Sequence, residues 1–147
     1  MTQFEVQDPD FERRVQASFR RQKMMETIGA SLTEVTPGKV EIELPFQDSL
    51  TQQNGFLHAG VITTIVDTAC GYAAYTLMPS DASVLTVEFK VNLLAPAVGD
   101  HLVAQGQVIR SGRRLMVCRG DVYAVSELHE KLVATMLATM MTIQSGA

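Results

Sequence analysis

A lone carboxylate in an apolar segment is the first candidate for chemistry in this sequence. Asp67 is the one charged residue between His58 and Met78, a stretch in which Val, Ile, Ala and Gly recur at helical spacing. Burying such a carboxylate is costly unless it is paired, hydrogen-bonded or protonated. Two interpretations follow: Asp67 is a general base or nucleophile in a cleft, or it is a structural carboxylate hydrogen-bonded to nearby threonines or to a partner subunit.

His58 stands where a polar loop gives way to this segment, and two small residues, Ala59 and Gly60, follow it. A histidine in front of a helix caps that helix more often than it catalyses a reaction, so both roles stay open for His58. The first N–H groups of a helix lack intrahelical acceptors and carry the positive end of its dipole. Those of Ala59 and Gly60 are therefore predicted donors for a developing oxyanion.

The spacing of these groups limits how they can cooperate. His58 and Asp67 are nine residues apart, roughly 13.5 Å along the helix axis at about 1.5 Å per residue, and steps of about 100° leave them on opposite sides. One chain therefore cannot readily direct Asp67 and the Ala59 amide at the same carbon. Two antiparallel helices side by side can, so an enzyme built from these residues is expected to be a homodimer at least, with Asp67 from one subunit and the helix start from the other.

The elements that position these residues predict an α+β fold. Loose apolar periodicity indicates one amphipathic helix from about Pro9 to Gly29, and Pro37-Gly38 marks a turn between two short strands. The apolar helix from His58 to about Met78 has almost no face for water, so we expect one curved antiparallel sheet to enclose it. After it, the pattern predicts a four-strand antiparallel meander, with strands at 84–94, 102–110, 115–125 and 132–143.

Composition narrows the class of protein. A chain of 147 residues with 46% hydrophobic and 19% charged residues is expected to form one globular domain spanning 1–147. The net charge of −4 argues against nucleic acid as the main partner. An acidic start and the lack of a membrane-length apolar run predict a cytoplasmic protein that does not enter a membrane. Cys70 and Cys118 lie in apolar runs without metal-ligand spacing, so we expect buried free thiols and no metal site.

Two segments, QNGFLHAG at 53–60 and VDTA at 66–69, resemble the hotdog thioesterases of the PaaI-like, phenylacetate-degradation type. Members of this family carry a His-Gly-Gly helix start and an acidic residue nine positions after the histidine. The resemblance covers most of the chain and includes a strand at 87–94 and a turn at 111–114. It implies a hotdog fold, in which a curved antiparallel sheet wraps a long central helix, with an extra N-terminal helix. It also implies hydrolysis of acyl-CoA or aryl-CoA thioesters to the free acid and CoA.

The resemblance assigns roles to individual residues. Asp67 would activate water or attack the thioester carbonyl itself, and the backbone N–H of Ala59 would hold the carbonyl oxygen. Gln52 stands where a carboxamide orients substrate or water, and Thr86 matches a position that orients the water in some members. The sequence departs from the family pattern at Ala59, where Gly is usual, and at Gln52, where many relatives have Asn. The chemistry at Ala59 requires only a backbone donor, and alanine adopts helical dihedrals readily.

Coenzyme A brings phosphates, and arginine suits phosphate through its fork of donors. Around one predicted turn the sequence places Arg110, Arg113, Arg114 and Arg119. The resemblance favours Arg113 and Arg114 as CoA-binding residues, and a solvated charged turn is the alternative. Asn54 and Gly60 complete the predicted substrate-binding set. The eight methionines are expected to fill the core, with an acyl pocket lined by some of them as the alternative.

Three functions compete for these residues. Thioester hydrolysis is favoured, and it needs no metal or organic cofactor because the thioester is already activated and CoA is part of the substrate. The second is a non-catalytic acyl-CoA-binding protein, a sensor or scaffold, but binding alone does not require the cost of Asp67. The third is hydration or dehydration of an acyl-CoA, for which relatives generally pair His and Asp about five residues apart, a pair that this helix lacks. The family resemblance extends the expected dimer to a homotetramer.

Overall fold

The computed structural model describes residues 4–144, which form three α-helices and six β-strands. A single turn of 3₁₀ helix, Asp48–Leu50, lies in the loop before the third helix. In chain order the elements are α1 (Phe11–Arg21), α2 (Lys23–Ile28), β1 (Ser31–Thr36), β2 (Lys39–Pro45), α3 (Ala59–Tyr75), β3 (Ala82–Leu93), β4 (His101–Ser111), β5 (Leu115–Ser126) and β6 (His129–Gln144).

The six strands join one antiparallel sheet in the order β1-β2-β4-β5-β6-β3. The predicted four-strand meander was wrong, because β3 pairs with β6 at the far edge of the sheet while β4 pairs with β2. The long connection at 94–100 carries the chain from one edge back into the sheet. It is held by backbone hydrogen bonds from Leu57 N to Ala97 O (3.3 Å) and from Phe46 N to Asp100 O (2.9 Å). Among the strands of residues 4–144, β3 is therefore left with a neighbour on one side only.

Helix α3 packs on one face of the sheet, against β2, β3, β4, β5 and β6. Two glycines let the helix come this close. A Cβ at Gly106 on β4 would overlap the backbone of Ala69, and one at Gly120 on β5 would overlap the side chains of Val66 and Cys70. The absence of side chains at these two positions seats the middle of α3 directly on the sheet, as expected for close-packed interiors.

The expectation of a helix enclosed on every side was wrong for one face of α3. Five residues at helical spacing are half-buried rather than buried, namely Thr63, Thr64, Asp67, Thr68 and Gly71. The three threonine hydroxyls donate to carbonyls four residues earlier, at 2.8, 2.7 and 2.8 Å. These polar groups are thus satisfied within the helix, and the face carrying Asp67 stays accessible.

The N-terminal region forms two helices where the sequence predicted one. Gln22 has extended dihedrals (φ −81°, ψ 101°) and separates α1 from α2. The break lets each helix bury its own apolar residues, Val15 in α1 and Met25 and Ile28 in α2. Gly29, at φ 78°, then ends α2 in the left-handed region that favours glycine.

Arg14 fastens α1 to the end of α3. Its guanidinium donates to the carbonyls of Tyr75 (2.8 Å), Met78 (2.9 Å) and Pro79, and it forms an ion pair with Asp8 at 3.3 Å. It also lies 4.4 Å from the centroid of the Tyr75 ring. The carbonyls at a helix C-terminus lack intrahelical donors, so this one side chain satisfies several of them and holds α1 beside α3.

The core contains both cysteines and most of the methionines, but the prediction that all eight methionines fill it was wrong for Met24, which is 54% exposed, while Met141 is half-buried and Met1 lies outside the described residues. Five methionines are almost fully buried, Met25, Met78, Met116, Met136 and Met140. Cys70 and Cys118 are free and buried, as predicted. Burial raises the pKa of the Cys118 thiol to about 12 and raises the pKa of Cys70 well above its ordinary value. Within residues 4–144, no helix has the length and apolarity that crossing a membrane requires.

Candidate active site

Asp67 and Thr86 form a hydrogen-bonded pair between α3 and β3. The Thr86 hydroxyl donates to Asp67 Oδ1 at 2.7 Å. Partial burial raises the pKa of the Asp67 carboxyl, and the hydrogen bond from Thr86 opposes that rise. A threonine partner fits the structural interpretation of Asp67 as well as the catalytic one. Two features favour catalysis. Within the described residues no hydrogen bond occupies the second oxygen, Asp67 Oδ2, and the carboxylate lies in the wall of a cavity.

The cavity beside this pair has a volume of about 430 Å³ and lies between the end of α1, one face of α3 and the start of β3. Asp67 is the one acidic residue in its wall. Because ligand pockets commonly span about 300–1,000 Å³, the cavity is large enough for an organic acyl group. The wall contains no methionine, so an acyl pocket lined by methionines is not what the described residues form.

His58 is the N-cap of α3. Its Nδ1 accepts the backbone N–H of Gly60 at 2.8 Å, and its own dihedrals (φ −62°, ψ 138°) are extended. Of the two N–H groups predicted as oxyanion donors, that of Gly60 is therefore occupied. Within the described residues no hydrogen bond occupies the N–H of Ala59. The helix start can thus offer one backbone donor, with the positive end of the helix dipole behind it.

Gln52 braces the loop that leads into this helix start. Its side-chain Oε1 accepts the backbone N–H of Asn54 and, at 3.4 Å, that of Phe56. The amide nitrogen of Gln52 has no hydrogen-bond acceptor in the described part of the chain, so it can donate to a ligand. Together with His58 and Ala59, Gln52 lines a groove of about 530 Å³ that is closed on the far side by the segment 93–97.

The predicted site residues fall into two separate places in one chain. Asp67 and Thr86 line the cavity at the start of β3, whereas Gln52, His58 and Ala59 line the groove at its end. This separation agrees with the helix geometry, which places Asp67 about 12 Å beyond Ala59 along α3. Asn54 is exposed in the loop before the helix and lines neither space.

The arginines predicted to bind CoA differ in their surroundings. Arg113 and Arg114 are exposed in the turn between β4 and β5. Strand register places that turn at the same end of the sheet as Thr86 but two strands away, because Met116 pairs with Met140, which pairs with Thr86. Arg119 lies farther along β5 and forms an ion pair with Asp121 at 3.2 Å. The assignment of Arg113 and Arg114 to CoA stays a prediction.

The sequence did not predict the N-terminal wall of the cavity. Ser18, Arg21 and Gln22 come from the end of α1, and Tyr72 comes from α3. The Ser18 and Tyr72 hydroxyls are 3.1 Å apart, and Gln22 Nε2 donates to the Tyr72 hydroxyl at 3.2 Å. These contacts join residues 50 or more positions apart. One feature of the sequence could have indicated this wall. Tyr72 stands five residues after Asp67 on an apolar helix, and a buried phenol needs a hydrogen-bond partner.

Comparisons with known proteins identify the family. Residues 54–129 match the thioesterase superfamily. The chain belongs to the thioesterase superfamily. A thioesterase family protein from Silicibacter pomeroyi is 46% identical to this thioesterase, with a TM-score of 0.90 over 92% of this chain and 99% of that one.

More distant relatives agree with this assignment. The 1,4-dihydroxy-2-naphthoyl-CoA hydrolase of Listeria monocytogenes is 28% identical to this thioesterase over 94 residues, which cover 64% of this chain and 76% of that protein. The PaaI protein of the phenylacetic acid degradation operon of E. coli is 18% identical, with a TM-score of 0.83 over 92% and 95% of the two chains, and shows the shared fold. The predicted hotdog fold and family resemblance are confirmed, and the protein is a thioester hydrolase.

Proposed function

We propose that this thioesterase hydrolyses acyl-CoA or aryl-CoA thioesters to the free carboxylic acid and CoA, with the whole chain, 1–147, forming one catalytic domain. The observation that carries the proposal is the Asp67–Thr86 pair, which faces a cavity of about 430 Å³ in a thioesterase fold. A buried scaffold helix has no need of a half-buried carboxylate with a raised pKa beside an accessible cavity.

The chemistry follows from the groups available. Asp67 acts as the base that takes a proton from water, or attacks the thioester carbonyl as a nucleophile, and Thr86 orients the water through its free lone pairs. The new C–O bond places negative charge on the carbonyl oxygen, which the N–H of Ala59 stabilises. The C–S bond then breaks, and the CoA sulfur leaves as thiolate and takes up a proton. On the nucleophilic route this leaves an acyl anhydride on Asp67, which water hydrolyses to the free acid and the regenerated carboxylate. We propose that no metal or organic cofactor takes part.

We propose that each active site combines two subunits. Strand β3 ends the sheet in the described residues and exposes the large apolar side chains of Leu85, Val87, Phe89 and Leu93, 44–56% accessible. A long apolar edge strand of this kind invites pairing with a second copy. The Asp67 cavity lies at the start of β3 and the Ala59 groove at its end. Antiparallel pairing of two β3 strands would therefore bring the cavity of one subunit next to the groove of the other.

Other residues around the two spaces bind and orient the substrate in this proposal. Gln52, through its free amide N–H groups, orients the substrate, and Gly60 leaves room beside His58 for the substrate to approach the helix start. Asn54 contacts the substrate from the loop. Arg113 and Arg114 bind the CoA phosphates from the turn between β4 and β5. We further propose a homotetramer built from two such dimers, acting in the cytoplasm.

Release of free thiol from a panel of aryl-, medium-chain and long-chain acyl-CoAs tests the reaction. Asp67→Asn should remain folded and lose nearly all turnover, because asparagine keeps the volume and cannot act as a base or comparable nucleophile. The matched control is Asp121→Asn, since Asp121 also accepts a threonine hydroxyl, from Thr135 at 2.7 Å, outside the cavity. It should keep wild-type turnover. No turnover by the wild type, with CoA compounds still raising the Tm, would indicate a binding protein instead.

A mixing experiment tests the shared site. Ala59→Pro removes the N–H at the first helical position, where proline is well tolerated, and the extended His58 in front of it suits proline. Each single variant, Ala59→Pro or Asp67→Asn, should be inactive alone. Hybrids formed by unfolding and refolding the two together contain one intact site, so random mixing should restore about a quarter of wild-type turnover. A site contained within one chain would give no recovery.

A further inference from the structure

The cavity beside Asp67 continues from the proposed reaction centre to the end of α1. Its wall is made by side chains from α1, α3 and β3. In the proposed active site the thioester carbonyl lies at Asp67, with the CoA portion on the side of Arg113 and Arg114. The acyl group is the part of the substrate that remains to be accommodated, and this cavity is the space next to the carboxylate.

The far wall of this cavity offers hydrogen-bond donors. The Ser18 and Tyr72 hydroxyls are 3.1 Å apart, and the Tyr72 oxygen also accepts Gln22 Nε2 at 3.2 Å. Two hydroxyls carry two protons, and the hydrogen bond between them uses one. The other proton has no acceptor among the described residues and is free for a ligand. The free proton belongs to Tyr72 or to Ser18, depending on which hydroxyl donates within the pair; Tyr72 is 5% exposed and Ser18 is half-buried, so a ligand acceptor would compensate a donor that is shielded from water.

Arg21 adds a positive charge to the same wall. It lies in the last turn of α1, and in residues 4–144 it forms neither an ion pair nor a hydrogen bond. The two terminal nitrogens of Arg14, on the same helix, are in contrast held by Asp8 and the end of α3. The neighbouring Arg20 lines a different groove, between α1 and β1. Arg21 is therefore the cation of α1 that a ligand in the cavity can reach.

Resting on the proposed function, we infer that this cavity selects acyl groups that carry a carboxylate at their distal end, the half-thioesters of dicarboxylic acids. Arg21 binds that carboxylate, and the Ser18–Tyr72 pair donates a further hydrogen bond to it. A guanidinium and a carboxylate form charge-assisted hydrogen bonds, often in pairs. A simple alkyl chain in the same cavity would leave both donors without a partner, and sites built around such donors discriminate strongly against ligands that lack the acceptor.

Thiol release from adipyl-CoA and hexanoyl-CoA tests the inference, because the two acyl groups have the same number of carbons and differ in the distal carboxylate. The wild type should prefer adipyl-CoA. Arg21→Gln should lower kcat/KM for adipyl-CoA by about tenfold to a hundredfold, the range for a hydrogen bond to a charged group, and change that for hexanoyl-CoA by less than about twofold. Arg20→Gln makes the same charge change outside the cavity and should leave both rates unaltered. Tyr72→Phe should lower only the adipyl-CoA rate.

The outcomes separate this inference from the proposed function. A wild type that hydrolyses hexanoyl-CoA or phenylacetyl-CoA at least as well as adipyl-CoA would overturn the inference and leave thioester hydrolysis standing. Equal losses on adipyl-CoA and hexanoyl-CoA in Arg21→Gln would assign Arg21 to the shared CoA portion and overturn it as well. Absence of turnover on every thioester would remove the proposed function and the inference with it.

Discussion

Gly71 lies in the wall of the acyl cavity, one helical turn beyond Asp67, and a Cβ built at this position meets nothing within 4 Å. Its backbone is helical, so a side chain introduces no strain there. Substitutions at Gly71 can therefore change the stability of the helix with or without filling the cavity. Gly71→Ala raises the helix propensity of the position and takes little space. Gly71→Leu also raises the helix propensity, but it fills the cavity where the acyl group is proposed to bind.

The expected magnitudes differ for the two properties. Alanine is more favourable than glycine in a helix interior by about 0.8–1 kcal/mol, which for a chain of this size raises the Tm by about 3 °C. Discrimination by the shape of an apolar pocket reaches about 10- to 200-fold per methylene. Gly71→Leu should therefore lower kcat/KM for adipyl-CoA and hexanoyl-CoA by at least about tenfold. Acetyl-CoA, whose acyl group does not extend past Asp67, should be hydrolysed at a rate within about twofold of wild type.

Calorimetry and thiol-release kinetics on the same preparations measure both effects. The control is Gly106→Ala, whose Cβ would overlap the backbone of Ala69 and should destabilise the fold by about 1–3 kcal/mol through overpacking. A lower Tm in Gly71→Ala would show that the wall is more crowded than the structure indicates. Unchanged hydrolysis of hexanoyl-CoA by Gly71→Leu would mean that the acyl group binds elsewhere, and the assignment of the cavity would be abandoned.

Three further predictions concern the charges. Thr86→Val removes the hydrogen bond that opposes the raised pKa of Asp67, so the acidic limb of the pH–kcat/KM profile should move to higher pH; an unmoved limb would show that Asp67 does not control it. Burial raises the pKa of Asp67 above its ordinary value of 3.8, so the ionised carboxylate destabilises the fold. Asp67→Asn should therefore have a higher Tm than the wild type at pH 8. This difference in Tm should shrink as the pH falls through the raised pKa and level off below 3.8. Arg14→Met leaves Asp8 buried without its partner and should lower the unfolding free energy by about 3–5 kcal/mol, measured by urea denaturation; a loss under about 1 kcal/mol would contradict the docking role of Arg14.

The sequence was informative where a residue was unexpected in its local pattern. Asp67 is conspicuous because a charge in an apolar helix needs a reason, and the helix start is recognisable from His58 and two small residues. The sequence left capping and catalysis open for His58. The structure shows the cap, since His58 Nδ1 accepts the Gly60 N–H. A local pattern could not reveal the consequence, which is that, within the described residues, the N–H of Ala59 is the free one of the two backbone donors predicted at the helix start.

The position of β3 could not be predicted from its own residues. The pattern of apolar and polar residues in a strand is the same whether it pairs with β4 or with β6. Adjacency in the sequence favours pairing with the strand that follows, β4. The deciding factor is the connection at 94–100, whose hydrogen bonds to Phe46 and Leu57 hold it beside the helix start. This difference matters for the proposed function, because β3 can pair with a second subunit only from the edge of the sheet.

The break at Gln22 links the N-terminal helices to the chemistry at Asp67. In one unbroken helix over 11–28, the buried residues Val15 and Ile28 would be about 140° apart around the axis, at about 100° per residue, so both could not face the core. The break resolves that conflict in packing, and it also turns the Gln22 amide toward Tyr72, one turn and a half of helix from Asp67. The feature that the helical periodicity missed is therefore the one that builds the donor-rich wall of the cavity.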